Sequence, residues 1–155
     1  MEDAYAKELT ELLVDSFNLV SLIEKNRLKG VKNVDISINE LHLIDAIGDG
    51  ETGLSVREIA KALKITMPSV TVATQKLEEK GLVKKVQSSD DKRVVRVMLT
   101  PLGEKFVMAH RYFHVRMIRS ILSQLKEDDK PTFMNAIRHL HGFFEENSQS
   151  LAKRV

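Results

Sequence analysis

The chain has 155 residues, 43% of them hydrophobic, with 24 Lys/Arg against 22 Asp/Glu and a net charge of +2, enough for one domain with a sizeable core. It has no cysteine, which excludes disulfides, thiolate metal sites and thiol-based redox sensing. No apolar run approaches ~18 residues, and the opening Met1-Glu-Asp-Ala is acidic, so neither a membrane span nor a signal peptide is expected and a cytoplasmic location is.

Residues 3 to about 28 carry one long helical pattern. Ala6, Leu9, Leu13, Phe17, Val20 and Ile23 recur at spacings of three and four, and Leu12, Leu19 and Leu22 widen the stripe. A stripe this broad on a terminal helix is expected to pack against a second subunit; an ordinary core helix is the alternative. Gly30 to Asp35 reads as a loop. Ser37-Ile-Asn-Glu40 is a capping box, and Ile38, Leu41, Ile44 and Ile47 form the core face of a second helix, closed by Gly48, Gly50 and Gly53.

Two short helical patterns follow. Ser55-Val-Arg-Glu58 is another capping box, with Ile59, Ala60 and Leu63 at helical spacing. Ile65-Thr66 is a tight connection with Thr66 as N-cap. Val70, Ala73, Thr74 and Leu77 mark the buried face of the next helix, which Gly81 ends as a left-handed residue. Two helices so joined make a helix-turn-helix, whose second helix lies in the DNA major groove.

Leu82, Val83 and Val86 then start a strand. Val95, Val97 and Leu99 alternate with Arg96, Met98 and Thr100 in a second one, and the polar run Gln87 to Arg93 forms the tip between them. A hairpin after a recognition helix is a wing. From Ser55 to Arg96 there are ten Lys/Arg against five Asp/Glu, an excess of five, so the remainder of the chain is net acidic by three. A phosphate-contacting face produces that asymmetry; a solvated surface on a small α+β domain is the plainer alternative. Thr100-Pro101 supplies an N-cap and a Pro at N1 for a long helix to about Lys126, with Leu102, Phe106, Ala109, Phe113, Met117 and Ile121 in one row. Pro131 opens a last helix bearing Phe133, Ile137, Leu140 and Phe144, expected to fray after Ser148.

The expected fold is therefore mainly α with a small β-hairpin wing, a winged helix-turn-helix in one domain over residues 1–155. Its DNA-binding unit spans about 37–99. In this order of elements the chain resembles the MarR family of bacterial transcriptional regulators over essentially its full length. Asp91-Lys-Arg93 followed by Leu99-Thr-Pro-Leu-Gly103 is similar to the family's Asp-x-Arg wing and Leu-Thr-x-x-Gly, and Leu77-Glu-Glu-Lys-Gly-Leu82 to its recognition-helix ending. Within the family, Asp35-Ile-Ser-Ile38, His42 with Ile44-Asp45, Ser69-Val-Thr71, Arg93-Val-Val95 and Arg111-Tyr-Phe-His114 are similar to the FabT type, repressors of fatty-acid synthesis genes.

The resemblance implies a homodimer joined through helices at about 3–28 and 101–151, reading a pseudo-palindrome in double-stranded DNA with recognition helices in successive major grooves ~10 bp apart. Met67, Pro68, Ser69, Thr71, Val72, Gln75 and Lys76 face outward on the recognition helix. Gln75 can pair with adenine, and Thr71 and Val72 can meet thymine methyls. Arg93 matches the family residue that enters the minor groove, a narrow A·T-rich one suiting its shape and charge. Asp91 would brace Arg93 or the wing backbone. Lys84, Lys85 and Lys92 are expected at phosphates.

His110 and His114 share a helix face. Resemblance to zinc-sensing members adds Glu24 and His42. The four are expected either to bind zinc, which three imidazoles and a carboxylate suit, or to form a buried polar cluster holding three helices together. No cofactor is otherwise required. If the chain is of the FabT type, the effector is an acyl chain on acyl carrier protein acting as corepressor. Phe17, Val20, Ile23, Leu41, Phe106, Tyr112, Phe113 and Met117 could line its tunnel, though such a row is also plain core, and Arg111, Arg116 and Arg119 could meet the acidic carrier.

An enzyme is not expected, for the chain has no Gly-rich phosphate loop, nucleophile elbow or HExxH pattern. Two other readings stand beside fatty-acid control: a zinc-responsive repressor of metal-uptake genes, and a winged-helix module used only for protein contacts. The basic excess and the wing Arg93 argue against the second.

Overall fold

Local signals account for most of the element boundaries. The computed structural model describes residues 2–28, 34–48, 50, 52–88 and 91–152. The first part of the expected Gly30–Asp35 loop and two residues of the wing tip, Ser89 and Asp90, lie outside them. The elements in order are α1 (Glu2–Leu28), α2 (Ile38–Ile47), β1 (Leu54–Ser55), α3 (Val56–Leu63), α4 (Met67–Glu79), β2 (Val83–Gln87), β3 (Val95–Leu99), α5 (Pro101–Leu122), a short 3-10 turn (Glu127–Asp129) and α6 (Lys130–Ala152). Among the described residues, no helix is long and apolar enough to cross a membrane.

Both capping boxes form. At α2 the backbone N–H of Ser37 donates to Glu40 Oε2 at 2.8 Å while Glu40 N–H donates back to Ser37 Oγ at 3.3 Å. At α3, Ser55 and Glu58 repeat the pattern at 2.7 and 3.3 Å. Each satisfies helix N-terminal donors that would otherwise have no partner.

The chain divides within α5 into two compact units, residues 1–111 and 112–155. The first holds α1 to α4, the strands and the start of α5. Its core gathers Leu41, Leu43, Ile44 and Ile47 of α2, Ile59 and Ala60 of α3, Val70 and Leu77 of α4, Leu82, Val83 and Val97 of the wing, and Phe106 and Val107 of α5. Each large side chain fully buried here contributes about 1.5–3 kcal/mol. Thr74 is buried too, and its hydroxyl donates to Thr71 O at 3.0 Å, so no donor is stranded.

The wing is a three-stranded antiparallel sheet in the order β1-β3-β2, with Leu54 opposite Val97 and Val83 opposite Leu99. The expected hairpin is present. The added strand β1 is two residues long, too short for alternation to show in the sequence. α5 starts hard against the base of the sheet. The Thr100 hydroxyl donates to Gly81 O at 2.7 Å and accepts Gly103 N–H at 3.2 Å, and a Cβ on Gly103 would lie 2.1 Å from Leu82 O. Gly103 is the residue that allows this approach.

In the second unit, α5 ends at Leu122 rather than near Lys126. Residues 123–125 turn, and Lys126 adopts an extended conformation. The acidic run Glu127-Asp128-Asp129 then forms the 3-10 turn ahead of α6, where negative charge suits a helix N-terminus. α6 runs to Ala152. In the single chain α1 leaves Leu9, Leu12 and Phe17 exposed, and α6 leaves Ile137, Phe143 and Phe144 exposed.

Candidate nucleic-acid interface

The turn between α3 and α4 rests on Lys64, a non-glycine residue at φ 55°, left-handed. Ile65 N–H donates to Ala60 O at 3.1 Å across it. The chain then enters α4 through Thr66, whose hydroxyl accepts Ser69 N–H at 3.3 Å, with Pro68 in the first turn. α4 ends in the hydrogen-bond pair of a left-handed cap: Leu82 N–H to Leu77 O and Gly81 N–H to Glu78 O, each 2.9 Å, with Gly81 at φ 70°.

Between these caps the helix is two-faced as expected. Val70, Thr74 and Leu77 are buried and Ala73 half-buried, while Met67, Pro68, Ser69, Thr71, Val72, Gln75 and Lys76 are exposed. The whole outward row is therefore presented on one rigid element.

At the wing, Asp91 Oδ1 accepts the backbone N–H of Arg93 at 2.9 Å, and Val94 N–H donates to Asp91 O at 2.9 Å. Asp91 thus braces the wing backbone, leaving the Arg93 side chain exposed. Lys84 and Lys92 are also exposed. Lys85 has a neighbour that the sequence did not name. Its ammonium donates to Glu78 Oε2 at 2.7 Å, and that bond holds the Glu78 carboxyl below the usual range. Both side chains are partly exposed, and a surface pair of this kind is weak enough to give way to a phosphate.

Two anchors were missed by sequence reasoning. Arg96 Nη1 donates to Gly53 O at 2.9 Å and lies 3.7 Å from Glu58 Oε2, tying the sheet to the entry of α3. Lys80, at the end of α4, donates to both carboxylate oxygens of Glu40 at 2.8 and 2.9 Å. Burial opposes ionisation of Glu40, but Lys80 together with the N–H and hydroxyl of Ser37 holds its carboxyl below the usual range. The pair fixes the C-terminal end of α4 to the first turn of α2. Its only sequence trace was the capping-box Glu40, since nothing local names Lys80 as its partner.

Three residues of the second expected constellation, Glu24, His42 and His110, lie where α1, α2 and α5 meet in the first unit, and His114 belongs to the second. Glu24 is buried, and its Oε1 sits 3.2 Å from Nε2 of His110, whose side chain is 8% exposed. His42 is exposed on α2, its ring centroid 5.7 Å from that of His110. His114 stands one turn further along α5, half-buried, its ring against Phe113. The structure adds Asp45, which was not expected here. Its Oδ2 lies 3.8 Å from His110 Nδ1, and its Oδ1 accepts Arg111 Nε at 2.6 Å. Asp45 follows His42 by three residues on α2, which was the available signal. Arg111, expected at a carrier protein, is thus held by Asp45. A carboxylate and imidazoles brought together on three helices are a donor set that zinc accepts, and equally one that closes on itself by hydrogen bonding.

The expected effector-pocket residues are spread differently. Leu41 and Phe106 are closed into the core at 2% exposure each. Phe17 and Ile23 are exposed on α1 and Val20 is half-buried. Phe113 and Met117 are half-buried and Tyr112 exposed on the later part of α5, where Arg116 lies over the Tyr112 ring.

Comparison with known proteins adds independent weight. Residues 34–94 match the MarR family. The chain is similar to Streptococcus pneumoniae FabT, solved in complex with DNA, at 33% identity and a TM-score of 0.81, covering 91% of this chain and 98% of that one. The S. aureus MepR–DNA complex shares the fold at 23% identity and a TM-score of 0.66, covering 88% of this chain and 97% of that one. Among curated proteins, the HTH-type transcriptional regulator YhjH of Bacillus subtilis is 29% identical over 119 residues, covering 77% of this chain and 67% of its own. The HTH-type regulator Hpr of Bacillus cytotoxicus is 26% identical over 132 residues, covering 84% of this chain and 65% of its own. The chain thus spans about two thirds of the length of these two relatives. A helix-turn-helix with an exposed recognition face, a braced wing, and a relative 33% identical along nearly its whole length lead to one conclusion: the chain belongs to the MarR family of DNA-binding transcriptional regulators.

Proposed function

We propose that the protein is a dimeric repressor that binds a pseudo-palindromic operator and controls fatty-acid synthesis genes, with an acyl chain on acyl carrier protein as corepressor. α4 enters the major groove and Arg93 the minor groove. The observation that carries the DNA part is the outward row of α4 beside the braced, exposed Arg93. The fatty-acid part is supported by the similarity to FabT over 91% of the chain. Dimerisation is supported by the apolar residues that α1 and α6 leave exposed in the single chain. The effector acts by population shift: it must bind one spacing of the two recognition helices better than the other, and a tenfold change in DNA affinity needs about 1.4 kcal/mol of difference.

A second reading, a zinc-responsive repressor of metal-uptake genes, is favoured by the contact of buried Glu24 with His110 beside His42. In that reading the residues expected from the sequence, Glu24, His42, His110 and His114, would hold the ion, which would fix α1 and α2 to α5. One experiment separates the two readings: operator binding with long-chain acylated carrier, with unacylated carrier, with zinc, and with none of them. Tighter binding with the acylated carrier alone is expected. Equal affinity with both carriers and a shift with zinc would overturn the acyl reading in favour of the metal one.

A further inference from the structure

The hydroxyl groups on the recognition face are turned to the helix itself. Thr66 Oγ1 and Ser69 Oγ share a hydrogen bond at 2.8 Å at the N-cap, and Thr66 also accepts the Ser69 N–H. Thr71 Oγ1 donates to Met67 O at 3.0 Å, one turn back. Thr71 therefore cannot donate its proton to a base without releasing that bond, and Ser69 keeps its proton for a base only when Thr66 is the donor of the bond they share. Beside the acceptor oxygens of Ser69 and Thr71, the first two turns of α4 hold out carbon and sulfur: Met67 at 50% exposure, Pro68, and Val72 at 55%, with Thr71 exposed between them. Gln75 and Lys76 come only in the next turn. Exposed apolar groups on a helix that meets DNA have one specific partner in the major groove, the methyl at C5 of a pyrimidine, which thymine carries and cytosine lacks.

We propose that Met67, Thr71 and Val72 select the operator by C5-methyl groups in the major groove, so that 5-methylcytosine is read as a methyl-bearing base like thymine. This rests on the placement of α4 in the major groove. It goes beyond a preference for A·T pairs. A pure A·T reader would reject a methylated C·G pair as firmly as an unmethylated one, whereas a methyl reader distinguishes the two. Burying one methyl against an apolar side chain corresponds to about fourfold in affinity.

The test uses the full chain and a duplex selected from a random-sequence pool by binding to it, remade by synthesis. Each half-site thymine is replaced in turn by deoxyuridine, which removes only the methyl. At positions that respond, C·G is compared with 5-methylcytosine·G, the partner guanine being the same. Loss of the methyl is expected to weaken binding about fourfold in both comparisons. Val72→Ala, at an exposed position that the fold does not need, is expected to abolish the thymine–uracil difference at one position per half-site. Gln75→Ala is expected to weaken binding while leaving that difference intact. Uracil equal to thymine throughout, or 5-methylcytosine equal to cytosine at responding positions, would overturn the methyl readout. If Gln75→Ala and Lys76→Ala also leave affinity unchanged, the placement of α4 in the groove falls with it. If they weaken binding while the methyl comparisons are silent, only the methyl readout is lost.

Discussion

Asp91 Oδ1 accepts the backbone N–H of Arg93 at 2.9 Å, closing the wing tip around the residue expected in the minor groove. The turn is thereby set before any DNA arrives, and the ordering cost at binding falls. Asp91→Ala is expected to weaken operator binding with little loss of stability, while Asp91→Asn, whose amide oxygen can accept the same N–H, keeps most of the affinity. Anisotropy titrations of the three proteins decide it. Equal loss in both variants would mean that the charge, not the turn, is what counts.

Arg93→Ala removes an exposed side chain, so its effect on stability should lie within about 0.5 kcal/mol. In the complex it removes a charge contact, and the slope of log K against log salt should shrink by about one per subunit. Binding measured from low to high salt checks this. An unchanged slope would remove Arg93 from the DNA.

Glu40 gives a pH signature. Its carboxyl titrates below its usual value of 4.5 when folded, so the stability it contributes is fully present above that value and is lost as pH falls through the folded one. Glu40→Gln is expected to cost about 1.5 kcal/mol at pH 7 through loss of the charged bonds to Lys80. That difference should close on acidification below 4.5. Urea melts across a pH series would show it, and a difference that stays constant into acid would contradict the assignment.

Gly103→Ala should be among the most damaging single changes at the wing base. The new Cβ would sit 2.1 Å from Leu82 O, and neither the helix start nor the strand entry can move without breaking the Thr100 bonds. A loss of about 2–3 kcal/mol is expected. A melting temperature within 2 °C of the parent, roughly the shift of half a kcal/mol, would show that the base of the wing yields.

If α1 and α6 meet a second copy, Phe17→Glu and Phe144→Glu should each weaken self-association, because a charge would replace apolar area at the contact. Sedimentation at micromolar concentration is the measurement. A parent chain that sediments as a stable monomer would remove the dimer from the proposed function.

Much of the DNA-binding unit is written locally. Ser37 with Glu40, Ser55 with Glu58, Thr66 with Ser69, and the Leu77–Leu82 cap all join residues at most five apart. Spacing along one helix or turn determines such contacts, so the sequence alone carried the two-faced α4, the helix ends and the Asp91–Arg93 turn. Lys64 shows where local reading stops, since nothing in a lysine announces a left-handed turn. What lies further apart was decided by packing. Lys80 meets Glu40 across forty residues and Arg111 meets Asp45 across sixty-six, and β1 exists only because β3 is beside it. Lys85 pairs with Glu78 seven residues away, from α4 to β2, a partner that no single-element spacing names. Side-chain periodicity records which face a residue occupies; which distant group stands opposite that face is settled only when the elements pack together.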